Sequence, residues 1–304
     1  MKVVIAGGTG FLGGALSDVL EHDGHEIVIL TRRRPAAGAR RRIVEWTPDG
    51  SPGAWAAELD GADAVVNLAG ESIAAKRWSA AQKQRILDSR LLATRSLVAA
   101  IGGASRAPAV FVSGSAVGYY GPLGDQPIAE EQPAGSDFLA RVCREWEAEA
   151  LTAAKAAPST RVVCMRTGLV LAREGGALAK MLPPFWFGAG GPVGSGRQYW
   201  PWIHRRDWVD LVKWIIQSPS VSGPINLTAP TPVTNAAFAA ALGRALHRPA
   251  FVPAPGFAMK LLLGEMADAL LLSGQRAVPA KAERLGFTFS HPQLDEALRS
   301  IFGR

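Results

Sequence analysis

Lys2-Val3-Val4-Ile5-Ala6-Gly7-Gly8-Thr9-Gly10-Phe11-Leu12-Gly13 decides how this chain folds. A short apolar run that opens on lysine predicts a buried strand over Lys2–Ala6, and the run beginning at Phe11 predicts a helix over Phe11–His22. The glycines between them satisfy G-x-G-x-x-G at Gly8, Gly10 and Gly13, and also a variant spaced at Gly7, Gly10 and Gly13. Small residues are needed there for a tight turn, for close approach of main-chain amides to a diphosphate, and for close packing of helix on strand. The helix N-terminus then offers N–H groups and a partial positive charge to phosphate. Gly7, Gly8, Thr9, Gly10, Phe11, Leu12 and Gly13 are therefore candidate dinucleotide-binding residues.

Outward from this turn the pattern repeats. Candidate strands at Glu26–Thr31, Arg42–Trp46, Ala64–Asn67, Ala109–Ser113 and Arg161–Arg166 alternate with helix-like stretches, notably Ser79–Ile101 and Asp137–Ala156. Continuous apolar character in the strands implies burial on both faces, hence an α/β fold of the Rossmann type: a doubly wound parallel sheet. After Leu171 the texture turns to Gly, Pro and Trp, and Pro183–Trp202 reads as turn-rich pocket lining or as a plugged hydrophobic seam. With a further strand at Pro224–Thr228, the expected organisation is a dinucleotide-binding domain over 1–171 completed by 205–229. A smaller, discontinuous C-terminal substrate-side domain takes 172–204 and 230–304.

The end of the second strand selects the dinucleotide. An NAD site carries an acid there to accept hydrogen bonds from the ribose hydroxyls. Here the run is Thr31-Arg32-Arg33-Arg34, without an acid. Guanidinium groups match an adenosine 2′-phosphate, so the expected cofactor is NADP(H). Arg32 is the first candidate for that phosphate and Arg33 the second, with Thr31 as a hydroxyl donor; Arg40, Arg41 and Arg42 read better as a solvated turn. Asn67-Leu68-Ala69-Gly70 ends the fourth strand, where small residues permit close approach to the cofactor.

Composition limits the alternatives. The 304 residues are 48% hydrophobic and 19% charged, which excludes a disordered chain, and two cysteines exclude a disulfide scaffold. The net charge is +7, yet Thr31–Arg42 alone holds six arginines and no acid, so the rest carries only about +1. That distribution argues against nucleic acid as a partner. The five histidines are scattered, so no metal site is expected. No apolar run approaches the roughly 20 residues a membrane helix needs; Phe257–Leu272 is interrupted by Lys260, Glu265 and Asp268. A cytoplasmic location and a small-molecule substrate are the expectations, and homodimer formation stays open.

The glycine turn, Asn67-Leu68-Ala69-Gly70 and Ser113-Gly-Ser115-Ala-Val-Gly-Tyr119-Tyr120-Gly121 together resemble the extended short-chain dehydrogenase/reductase superfamily. More narrowly, the chain resembles its atypical, YfcH-like NAD(P)-dependent epimerase/dehydratase group. Supporting stretches include Ser89-Arg90 with Thr94, Arg166-Thr-Gly-Leu-Val-Leu171, Trp202-Ile-His-Arg-Arg-Asp207 and Gly286-Phe-Thr-Phe289, so the likeness runs almost end to end. The resemblance places Arg166 among the cofactor-binding residues and Ser115 at the superfamily's catalytic serine.

That superfamily ordinarily pairs the serine with Tyr-x-x-x-Lys, the lysine lowering the tyrosine pKa for proton transfer. The resemblance sets Leu139 at the tyrosine position and Cys143 at the lysine position, so the pair is missing. Three replacements come into view. Tyr119 or Tyr120 would supply the phenol. Cys143 would be an ionised thiol, against the plainer reading of a buried inert one. His204 would be an acid or base, against a structural role, with Asp207 expected to cap the helix that follows it.

The expected function is thus NADP(H)-dependent oxidoreduction of a small carbonyl or alcohol with Ser115 polarising the oxygen. A nucleotide-sugar epimerase or dehydratase that recycles its cofactor is one alternative, and a non-catalytic NADP(H)-bound sensor or partner-binding protein is another.

Overall fold

A computed structural model describes residues 1–32 and 41–303, so Arg33, Arg34 and Arg40 lie outside the described residues. Seven parallel strands form the central sheet: β1 (Lys2–Ala6), β2 (Glu26–Thr31), β3 (Arg42–Glu45), β4 (Ala64–Asn67), β5 (Val110–Ala116), β6 (Arg161–Thr167) and β7 (Gly223–Leu227). Their order across the sheet is β7-β6-β5-β4-β1-β2-β3. The direction of winding reverses between β1 and β4, the point at which a doubly wound sheet opens a crevice beyond its strand ends.

Most strand limits agree with the sequence reading to within a residue or two. Three elements differ, the first being a helix over Gly176–Trp186 that takes in Pro183–Trp186 of the stretch read as turn-rich. β5 runs on to Ala116 because Ser113–Ala116 continue to pair with β6, in register with Cys164–Thr167. The long helix expected over Asp137–Ala156 ends at Leu151, and a short turn of helix follows over Ala153–Ala156.

Both faces of the sheet are covered. One layer packs α1 (Phe11–His22) against Val3, Ile5, Ile27 and Ile29, with the later helix Arg205–Gln217 adding Trp208, Leu211, Val212 and Ile215. The other face packs Val4, Val28, Val65 and Phe111 against α2 (Ala80–Gly103) through Ala93, Leu97 and Ile101. Ser79 caps α2 by accepting a hydrogen bond from the Gln82 amide, as the sequence leads one to expect. α3 (Phe138–Leu151) is capped by Asp137, whose carboxylate accepts from the Ala140 amide. A third core lies beyond the sheet, joining Leu178, Leu182, Trp202, Phe238, Leu242 and Leu298 from the later elements. Among the described residues no helix is long and apolar enough to cross a membrane.

The turn after β1 is fixed by two contacts. Gly7 adopts φ +80°, and a β-carbon there would stand 2.8 Å from the Leu68 carbonyl carbon and oxygen, so neither the conformation nor the space admits a side chain. At Gly13 a β-carbon would meet the Gly7 oxygen at 2.3 Å and the Gly8 α-carbon at 2.7 Å. The first turn of α1 therefore lies directly against the end of β1. Gly14, one residue on, has only the Gly8 oxygen at 3.9 Å.

Adjacent substitutions in α1 should consequently act in opposite directions. Gly13→Ala overpacks the turn and is expected to lower unfolding free energy by about 1–3 kcal/mol. Gly14→Ala, which has room, is expected to raise it by up to about 1 kcal/mol through helix propensity. Urea unfolding midpoints check both; a Gly13→Ala midpoint no lower than that of the native chain would contradict the close contact.

Candidate functional site

A cleft of about 420 Å³ opens over the carboxyl ends of β1, β4 and β6. Its wall is built from Phe11 and Leu12 at the start of α1, the run Leu68-Ala69-Gly70-Glu71-Ser72-Ile73 after β4, and Thr167-Gly168-Leu169-Val170 around the end of β6. Arg90, Trp146, Gly176 and Ala177 complete it.

The wall suits a diphosphate where α1 begins. Gly10 is the residue before the helix, no side chain caps the first turn, and no acidic residue lies in it. The Gly10 amide donates to the Gly7 oxygen at 3.0 Å and the Gly14 amide to the Gly10 oxygen at 2.8 Å, which closes the turn on itself. An uncapped helix N-terminus facing a cleft attracts anionic oxygen.

Asn67 is fully buried and reaches the cleft only indirectly. Its side-chain nitrogen donates to Thr94 Oγ1 at 2.9 Å, and its side-chain oxygen accepts from the Ala69 amide at 3.2 Å. It shapes the Leu68–Gly70 turn that forms the floor.

The arginine cluster divides. Arg41 is bound to Asp18 and Glu21 of α1, and Arg42 pairs with Glu58, so both serve the packing of their own surroundings. Arg32, at the end of β2, is exposed and makes no ion pair with the described residues.

None of the candidate catalytic groups is among the residues that line the cleft. Ser115 is buried, and its hydroxyl donates to Glu147 Oε1 at 2.6 Å. Glu147 is in turn gripped by Arg166 through Nε and Nη2, both at 2.8 Å. Arg166 also donates from Nη1 to the Tyr120 hydroxyl at 3.1 Å and to the Glu130 main-chain oxygen at 2.9 Å, while Tyr119 stacks on its guanidinium, ring centre to Cζ 3.5 Å.

Arg166, expected among the cofactor-binding residues, is 3% exposed, does not line the cleft and spends its donors inside this network. Burial opposes its charge, yet the two-pronged bond to Glu147 holds its pKa above the ordinary value. The same network takes up the proton of the Ser115 hydroxyl.

Tyr120 donates to Asn226 Oδ1 at 2.6 Å, and burial pushes its phenol up to about 12. Cys143 is buried beside Ser115, and its thiol is pushed up to about 11, first by burial and then by the Glu147 charge; it is an inert thiol at neutral pH. Neither can exchange a proton readily near neutrality.

His204, rather than Asp207, caps the helix Arg205–Gln217: its Nδ1 accepts from the Arg206 amide at 3.1 Å. Asp207 does a different job, accepting from the amides of Ser290 at 2.9 Å and His291 at 2.9 Å and so tying the C-terminal segment to the sheet layer. His204 stacks on His291 with ring centres 3.9 Å apart. Burial first, then His291, Arg205 and Arg206, bring its pKa down to about 4.

Arg90, named from the sequence only as part of the family resemblance, lies on the cleft wall. On α2 it follows Ile86 by four positions and precedes Leu97 by seven, which sets a cation on the inward side of the helix beside buried Ile86, Thr94 and Leu97. Burial holds its pKa below the ordinary arginine value. Trp146 forms the wall beneath it, with Cζ 5.2 Å from the ring centre.

Comparison with known proteins places these features in a lineage. A family model described as the NAD dependent epimerase/dehydratase family matches residues 3–227, and a second, described as a domain of unknown function (DUF1731), matches residues 254–301. An epimerase family protein of Mycobacterium leprae is 44% identical over 296 residues, covering 97% of this chain and 94% of the relative. The crystal structure of human epimerase family protein SDR39U1 (isoform 2) with NADPH superposes with a TM-score of 0.90 at 36% identity over all of both chains. A nucleoside-diphosphate sugar epimerase from Corynebacterium glutamicum gives a TM-score of 0.79 at 34% identity, with all of this chain covering 58% of that one.

The capping histidine yields a pH prediction. Its pKa is about 4 in the folded chain against an ordinary 6.5, so the unfolded state binds more protons between those values. The stabilisation is complete above the upper value and is lost as pH falls toward the lower one. His204→Asn keeps a capping side chain but does not titrate, and should flatten the dependence of the urea midpoint on pH across that window. An identical slope in both proteins would contradict the assignment.

Proposed function

The chain belongs to the NAD-dependent epimerase/dehydratase family, and on that premise we propose that it is an NADP(H)-dependent oxidoreductase acting on a small carbonyl or alcohol. The observation that carries this reading is the uncapped first turn of α1 opening on the cleft, beside a β2 that ends in Thr31-Arg32 with no acid. Gly7, Gly8, Thr9, Gly10, Phe11, Leu12 and Gly13 would hold the diphosphate. Leu68, Ala69 and Gly70 would run beneath the rest of the cofactor, with Asn67 positioning them. Arg32, with Arg33 beyond the described residues, would take the 2′-phosphate, and Thr31 would assist. The human relative solved with NADPH supports that choice of dinucleotide.

Bound there, a nicotinamide would supply or accept hydride. The chain's own part is to exclude water, position a carbonyl oxygen and deliver a proton. Ser115, Tyr120 and Cys143 are withdrawn from that task by the bonds and burial described above. The oxygen-bearing side chains on the wall are Glu71, Ser72 and Thr167, and of these the Thr167 hydroxyl already accepts from the Trp208 indole at 3.2 Å. Glu71 and Ser72, on the turn after β4, are the groups we assign to proton transfer.

The similarity to the C. glutamicum sugar epimerase favours a second reading, epimerisation with the cofactor restored in each cycle. Net consumption of NADPH in proportion to product, across a carbonyl panel, separates the two: the oxidoreductase consumes it and the epimerase does not.

The dinucleotide assignment has its own test. Arg32→Ala is expected to weaken NADPH binding by roughly 10-fold or more, the loss of a charge-assisted contact, and to leave NADH binding within about twofold. Calorimetric titration with both cofactors measures this, and equal losses for the two would overturn the 2′-phosphate role.

A further inference from the structure

The guanidinium of Arg90 is fixed in place and forms no ion pair with a described residue, although the Glu71 charge lies near enough to favour its charged form. Its Nη1 donates both of its protons to main-chain oxygens, of Glu71 at 3.0 Å and of Ile86 at 2.9 Å. The indole of Trp146 lies below it, and the Gly70 turn lies so close that a β-carbon there would meet Arg90 Cγ and Cζ at 3.3 Å. Turn and ring thus hold the side chain in one geometry.

Nε and Nη2 remain. Neither bonds to any described residue, neither is sealed from solvent, and the side chain forms part of the cleft wall. Glu71 contributes its main-chain oxygen to Arg90, but its carboxylate forms no ion pair with it. The contrast within this fold is Arg166, whose charge is met at two points by Glu147. A cation drawn out of water without a directly bonded anion is costly, and part of the cost is recovered when one arrives.

The Nε–Nη2 edge presents two parallel donors, the spacing that a carboxylate accepts side-on. Around it the wall is apolar, with Ile73, Leu169, Val170 and Ala177. The cofactor makes no demand on this cation, since its diphosphate is matched by α1 and its 2′-phosphate by Arg32. We propose that the Nε–Nη2 edge of Arg90 is the subsite for the carboxylate of a small-molecule substrate whose apolar body packs on Ile73, Leu169 and Val170. The inference rests on the reading of this cleft as the site of cofactor and substrate, and it narrows the substrate class to small oxo or hydroxy acids.

The test uses the full chain saturated with NADPH. Benzoylformate and its methyl ester are titrated separately, read by the change in tryptophan fluorescence. The native protein is expected to prefer the acid by roughly 10-fold or more. Arg90→Gln should weaken binding of the acid by about the same factor, abolish the preference and change NADPH affinity by less than about threefold. Arg90→Lys, which keeps the charge and loses the fork, should fall between. Thermal melts of the variants establish that they fold.

Equal affinity for acid and ester in the native protein overturns the proposal, as does an Arg90→Gln variant that keeps the preference. Inorganic phosphate is titrated as a third probe; binding that depends on Arg90 for phosphate but not for benzoylformate also overturns it. Failure of the native chain to bind NADPH in the control titration contradicts the cofactor reading instead, and the dependence of benzoylformate binding on Arg90 in the free protein then decides this one.

Discussion

Everything at the site depends on how closely α1 approaches the strand that precedes it. Because Gly13 stands where a β-carbon would strike the Gly7 oxygen, the helix begins against the sheet, and because Gly7 abuts Leu68, that beginning sits at the crevice between β1 and β4. One steric constraint therefore places an uncapped helix terminus, the Leu68–Gly70 floor and the walls from β6 around one volume. Without the glycines, the amides would be carried away from the floor and the cleft would lose its anion-binding end.

The polar interior behind the cleft has another purpose. Ser115, Glu147, Arg166, Tyr120 and Asn226 form a continuous buried chain, extended by Glu130, whose carboxylate accepts from the amides of Asn226 and Lys281. It joins α3, β5, β6 and β7 to the segment at Lys281. Such an ion pair contributes little net stability, since desolvation offsets most of the attraction, but removing one partner strands a buried charge. At the end of β5 the Ser115 hydroxyl is turned inward, bonded through Glu147 to Arg166 of the neighbouring strand.

The sequence reveals whatever is written in local pattern. Glycine spacing, the alternation of strands with helices, the cap at Ser79 and the absence of an acid after β2 are each legible within a dozen residues, and the first three describe the chain as folded. Residues whose role depends on a distant partner are not legible in this way. Arg166 meets Glu147 across 19 positions and Tyr120 meets Asn226 across 106, so a motif-based assignment sends Arg166 to the cofactor and leaves both tyrosines as candidate acids. Asp207 resembles a cap because it lies near a helix start, whereas its partners are Ser290 and His291, more than 80 residues away. Arg90 did leave a trace, a cation at helical spacing from Ile86 and Leu97 on α2. Its partners, however, are main-chain oxygens and an indole, which no residue pattern specifies.

The central claim is that the first turn of α1 and the floor after β4 grip a dinucleotide diphosphate. Amide hydrogen exchange with and without NADPH measures this directly. The account predicts slower exchange across Gly7–Gly13 and Leu68–Gly70 when the cofactor is present, with the strands at the far edge of the sheet unchanged. Exchange at those two segments that is indifferent to NADPH would contradict it.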